Sequence, residues 1–202
     1  MLKMIPNILT ISRIVLTVIF LAMLLCYPIA TNKTFFMDTA FVLFVVTCLT
    51  DVIDGPIARA LSVTSKFGRI LDPFADKVLI CGAFICLAII GEPKLFNWPP
   101  MTLKIIHWAA AGIIIAREIY VTILRHIAEA HGINFAATFS GKIKMLFQSI
   151  VIGTILIKIA HFPTPIWASC FTSTMLLIAL VITIISGLAA TQRMFSKQPA
   201  AV

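Results

Sequence analysis

Asp51, Asp54, Asp72 and Asp76 make up half of the eight acidic residues in the chain, and they fall inside one short stretch. Asp51 and Asp54 are spaced i,i+3 and Asp72 and Asp76 i,i+4, so on helices each pair shares one face. Four converging carboxylates repel one another, and at the edge of an apolar phase each also carries a desolvation cost of several kcal/mol. Hard divalent cations that accept carboxylate and water oxygens compensate such a cluster, which points to Mg²⁺ or Mn²⁺. The spacing predicts a pocket holding metal.

The residues between the pairs suit phosphate chemistry. Gly55 removes a side chain beside Asp54 and lets a ligand approach the backbone, Ala58 is small at the next turn, and Arg59 offers a planar donor fork. Gly68 clears a second face. Two metals beside such a pocket would clamp a diphosphate and stabilise an in-line phosphoryl displacement. Pro56 predicts a break of its helix at the carboxylates, because proline removes a hydrogen bond and clashes one turn back. Pro73 is expected in a first turn, where its missing N–H costs nothing.

The elements that must hold these residues are set by composition. Hydrophobic residues form 60% of the 202 and charged ones 12%, which excludes an ordinary soluble domain. Apolar spans are expected at 8–27, 35–50, 71–90, 103–124, 145–159 and 166–189, the second and fifth able to lengthen into their polar ends. The expectation is an all-α integral membrane protein, one domain over 1–202. It forms a bundle of six transmembrane helices with a polar cavity facing the cytosol. The first span reads as an uncleaved helix, being too long for a secretory signal and lacking a convincing cleavage site.

Lys and Arg in the short loops orient it. With both termini on one side, that side receives twelve of the sixteen basic residues, leaving Lys33, Lys94, Lys104 and Lys158 on the other. Both termini are therefore expected in the cytosol. The net charge of +8 is then one-sided and attracts anionic headgroups and phosphates, so membrane lipids are expected partners and nucleic acid is not. A helix entering from outside near Phe35 carries Asp51 and Asp54 roughly 24–29 Å along, to the cytosolic boundary. The third helix starts there, and a short connection around 62–66 makes the two antiparallel neighbours.

The pattern Asp51-x2-Asp54-Gly55-x2-Ala58-Arg59-x8-Gly68-x3-Asp72-x3-Asp76 resembles, at every position and interval, the signature of the CDP-alcohol phosphatidyltransferase family. The resemblance implies six transmembrane helices, usually a homodimer, and a reaction in which a hydroxyl displaces CMP from a CDP-linked lipid. It also implies that the four aspartates form a two-metal site, that Gly55, Ala58, Arg59 and Gly68 border the CMP moiety, and that Asp76 is the base. A position one turn deeper than Asp72 is consistent with that last role.

Three further segments are similar to bacterial members that form phosphatidylglycerophosphate: 5–13, 116–119 with Arg125, and 140–144. By that likeness the substrates are CDP-diacylglycerol and sn-glycerol 3-phosphate, in a bacterial cytoplasmic membrane. Arg13 is either a lipid-phosphate ligand or a snorkelling topology residue. Arg117 and Arg125 lie where charges are costly and usually functional, the alternative for Arg125 being a simple pair with Glu118, i,i+7 on the same face. Lys142 and Lys144 suit an acceptor-phosphate pocket or simply mark the cytosolic side. Other acceptors, namely an inositol phosphate, serine or phosphatidylglycerol, fit the same signature. A divalent-cation transporter is the alternative from another class, though its site would sit nearer the midplane.

The five cysteines have no paired spacing and read as small hydrophobes. The four histidines form no ligand spacing and are expected near helix ends, while Trp108 and Trp167 read as interfacial anchors.

Overall fold

Backbone that crosses hydrocarbon must satisfy its own N–H and C=O groups, and this chain does so as helices. The computed structural model describes the backbone of residues 5–60, 66–92, 98–131 and 139–197, and the side chains of 10–50, 74–92, 98–131, 141, 143–194 and 196. Six helices follow in order: α1 (Ile5–Cys26), α2 (Lys33–Ala60), α3 (Lys66–Ile90), α4 (Pro100–Ala130), α5 (Phe139–His161) and α6 (Ile166–Lys197), with one 3₁₀ turn at Tyr27–Ile29. Five of them, all but α3, are long and apolar enough among the described residues to cross a membrane. Length, composition and an all-helical build make this an integral membrane protein.

Packing closes the helices into a ring in the order α1, α2, α5, α6, α4, α3, with α3 and α5 also touching across it. α1 lies against both α2 and α3, and the connection expected to make those two antiparallel neighbours lies outside the described residues. The approach of α1 to α3 is close at Gly82, where a Cβ would stand 2.6 Å from Leu21 Cδ1. Small buried residues such as Ala40, Ala83, Ala110, Ala111 and Ala179 permit similar closeness elsewhere.

Two expectations about proline are corrected. α2 runs unbroken through Pro56 to Ala60, and α3 begins at Lys66, which puts Pro73 inside the helix rather than in its first turn. A single proline removes one backbone hydrogen bond, and the turns on both sides carry the helix across. α3 ends where Gly91 takes φ +82°, its N–H reaching Leu87 O at 2.9 Å while Glu92 N–H reaches the same oxygen at 3.1 Å. That left-handed cap favours glycine.

One stripe along α1 explains how the bundle is graded. Thr10, Arg13, Thr17, Phe20 and Leu24 are all buried at alternating three- and four-residue spacing, polar at the start and apolar beyond. On α5, Lys144 and Gln148 precede Val151, Ile152 and Ile155 in the same sense. The core of Phe20, Phe44, Leu87, Ile114 and Ile155 fills the middle and far end. His107 is buried inside α4 rather than at a helix end, and all five cysteines are free thiols.

At the end remote from the aspartates, Lys158 donates to Glu92 Oε2 at 2.7 Å, and the lysine side chain is 2% exposed. Removing one partner of such a pair strands a buried charge. Glu92→Ala should therefore lower the melting temperature in detergent, by the equivalent of about 3–5 kcal/mol. Adding Lys158→Met should restore most of it. A single variant that melts with the wild type would show the pair to be energetically idle.

Candidate active site

The signature residues occupy two helix ends. Asp51, Asp54, Gly55, Ala58 and Arg59 lie on the last turns of α2, and Gly68, Asp72 and Asp76 on the first turns of α3. Unbroken helix keeps Asp51 and Asp54 on one face and Asp72 and Asp76 on one face. The side chains of Asp51, Asp54, Ala58, Arg59, Asp72 and Lys142 lie outside the described residues, as do the 62–65 connection and any geometry of a metal cluster. No such cluster forms among the described residues. An all-carboxylate donor set on two helix faces nonetheless fits hard divalent cations.

Asp76 is half-buried, and the Arg13 guanidinium donates to its Oδ1 at 3.4 Å. Arg13 is only 1% exposed. A snorkelling residue would hold its head in water, whereas this guanidinium is held inside the bundle against Asp76.

Beside Asp76 a cavity of about 40 Å³ opens between α3, α4 and α5, bordered by Asp76, Lys77, Ile80, Glu118, Lys144 and Gln148 among others. Its walls are held by a connected set of polar contacts. Lys77 Nζ donates to Thr122 Oγ1 at 2.7 Å, and Thr122 donates in turn to the backbone oxygen of Glu118 at 2.6 Å. Glu118 Oε1 accepts from both Lys144 Nζ and Arg117 Nη1, the latter at 3.2 Å. Lys144 is 5% exposed, so its charge depends on that carboxylate.

The alternative pairing of Glu118 with Arg125 is not the one formed among the described residues. Glu118 turns to α5 instead, because Lys144 is buried and needs a carboxylate more than a half-exposed arginine does. Of the four expected acceptor-site cations, Arg117 and Lys144 converge through Glu118. Arg125, two turns further along α4, does not border the cavity, and its buried Nε has no hydrogen-bond partner. Arg117 runs its stem along α6, where a Cβ on Gly187 would meet Arg117 Cγ at 3.4 Å.

The sequence reading missed Lys77, Thr122 and Gln148. Signals for two of them existed: Lys77 adjoins Asp76, and Gln148 lies one turn beyond Lys144 on the same face of α5.

A family model described as CDP-alcohol phosphatidyltransferase matches residues 3–185 of this chain. The chain belongs to the CDP-alcohol phosphatidyltransferase family. It is 32% identical over 190 residues to the CDP-diacylglycerol–glycerol-3-phosphate 3-phosphatidyltransferase of Bacillus subtilis, covering 90% of each chain. Proteins of the same name from Shigella flexneri and Rickettsia felis are 31% and 30% identical, covering 91% and 92% of each chain. Membership makes the protein a phosphatidyltransferase and sets aside the cation-transporter alternative. Members of this family are generally metal-dependent.

The Arg13 contact can be tested through transfer itself. Arg13→Lys keeps the charge and loses the fork, so release of CMP should fall more than about tenfold with little change in melting temperature. Activity equal to wild type would mean that Arg13 supplies only charge at the membrane edge.

Proposed function

We propose that this phosphatidyltransferase moves the phosphatidyl group of CDP-diacylglycerol to sn-glycerol 3-phosphate, giving phosphatidylglycerophosphate and CMP. The observation that carries the acceptor is one cavity bordered by Lys77, Lys144 and Asp76 together. An anionic alcohol needs fixed cations for its phosphate and a base for its hydroxyl, and both are within one small space. Similarity to relatives named for that reaction, over nearly the whole chain, points the same way.

In this reading Asp76 takes the proton of the acceptor's hydroxyl as its oxygen attacks the phosphorus that bears the diacylglycerol. A new P–O bond forms, the P–O bond to CMP breaks, and CMP leaves with the electron pair. Arg13 orients Asp76 through the contact already described. Arg117 and Lys144 bind the acceptor's phosphate, with Lys142 and Arg125 reserved for its approach. Gly55, Ala58, Arg59 and Gly68 border the CDP moiety. Asp51, Asp54, Asp72 and Asp76 would hold two Mg²⁺ or Mn²⁺ ions, which when bound offset the charge of the diphosphate.

We place the protein, as a homodimer, in a bacterial cytoplasmic membrane with both termini and this site facing the cytosol.

The deciding experiment is CMP release from CDP-diacylglycerol by purified protein across a panel of acceptors. Release should need sn-glycerol 3-phosphate and a divalent ion, and should stop with chelator and return with Mg²⁺ or Mn²⁺. A preference for serine or an inositol phosphate would keep the family and remove this substrate. Asp76→Asn should retain CDP-lipid binding and lose turnover. Arg117→Ala should raise the KM for sn-glycerol 3-phosphate more than about tenfold, the usual consequence of deleting one partner of a buried charge pair, and leave that for CDP-diacylglycerol nearly unchanged.

Orientation has its own check. In a cysteine-free background, Ser65→Cys and Gly141→Cys should react with an impermeant thiol reagent only from the cytosolic side, and Asn32→Cys only from outside. The opposite labelling would put the site away from its soluble substrate.

A further inference from the structure

Gln148 borders the cavity from α5, is 1% exposed, and takes no part in the chemistry assigned so far. Its amide orientation is fixed by its neighbours. Thr183 Oγ1, fully buried on α6, donates to Ala179 O at 2.6 Å and therefore has no proton left for a second acceptor. It can only accept, so the atom facing it at 3.0 Å is the donor Nε2 of Gln148. The other end of the amide, Oε1, is then left buried without a hydrogen-bond partner. A buried carbonyl of this kind calls for a donor, and none is supplied among the described residues.

We propose that Gln148 Oε1 is the acceptor for the secondary hydroxyl of a phosphorylated polyol, and that this contact sets acceptor specificity. The inference rests on the proposed function and names which part of the substrate the cavity reads. A cavity of about 40 Å³ has room for a few water-sized groups, enough for a hydroxyl-bearing carbon and its neighbours. Lys144, one turn before Gln148 on the same face, stands ready for the phosphate, and Asp76 borders the same space from α3 for the attacking hydroxyl. The hydroxyl between those two groups is the one that reaches Gln148. Lacking it, an acceptor leaves Oε1 dry and unpaired, and sites built to bond a hydroxyl reject such analogues strongly.

The test compares sn-glycerol 3-phosphate with 3-hydroxypropyl phosphate, which keeps the phosphate and the attacking hydroxyl and lacks the one between. With purified wild type, CDP-diacylglycerol and Mg²⁺, kcat/KM should favour the glycerol phosphate by more than about tenfold. In Gln148→Leu and in the closer isostere Gln148→Met the preference should shrink to within about threefold, through loss on the glycerol phosphate, with the KM for CDP-diacylglycerol unchanged. A wild-type ratio near one overturns the inference without any variant. So does a Gln148→Met enzyme that keeps the wild-type ratio, since Oε1 would then hold only water. If the wild type releases CMP with neither acceptor but does so with serine, the proposed function fails and takes this inference with it.

Discussion

Charge held inside an apolar bundle has to be matched locally, because a carboxylate or ammonium without a partner costs several kcal/mol there. Each described carboxylate of the bundle interior meets a cation from another helix: Asp76 on α3 with Arg13 on α1, Glu118 on α4 with Lys144 on α5, and Glu92 after α3 with Lys158 on α5. These pairs add little net stability over apolar residues of the same size. They do decide which helix faces which, and at what height. A slide of α5 by one turn past α3 and α4 would strand Lys144 and Lys158 together.

That matching also shapes the site. The aspartates crowd the ends of α2 and α3, and the cations that border the cavity arrive from α3 and α5, while Arg13 on α1 is bound to Asp76 and Arg117 on α4 to Glu118. α3 carries a carboxylate and an ammonium side by side, Asp76 and Lys77, and the ring of packed helices brings the remaining charges to them from α1, α4 and α5. Where polar stripes give way to Phe20, Leu24, Ile152 and Ile155, water is excluded below the cavity. Electrostatic contacts made at that floor act in a low effective dielectric and are correspondingly stronger.

The helical spans and the carboxylate cluster were legible because both are local. Hydropathy locates all six helices but ends α2 ten and α6 eight residues early, where polar turns carry the helix on, and i,i+3 or i,i+4 spacing puts aspartates on a face whatever the surroundings. What sequence could not carry was the order of the ring. Charge spacing on α4 pointed Glu118 to Arg125, yet Glu118 pairs with Lys144 from another helix, a choice set by burial across the bundle. Pro56 illustrates the other limit: its intrinsic cost is real, but helix on either side outweighs one missing hydrogen bond. Gln148 looked like any polar residue in an apolar run, and its meaning arises only from Thr183, which fixes the direction of its amide.

On the proposed function, the charged side chains around the cavity are what an acceptor meets first. Arg13, Lys77, Arg117 and Lys144 outnumber Asp76 and Glu118 by two among the described side chains. Glu118 already occupies Lys144 and Arg117, so the resting site is not an open trap for any anion. A ligand must offer those cations something better than one shared carboxylate oxygen. A phosphate monoester does so, with three strongly accepting oxygens and close to two negative charges near neutral pH. A zwitterion such as serine brings one carboxylate like the one already there, and an ammonium that Lys77 and Lys144 repel. On the proposed function, the described cations therefore suit a phosphorylated alcohol better than a zwitterion.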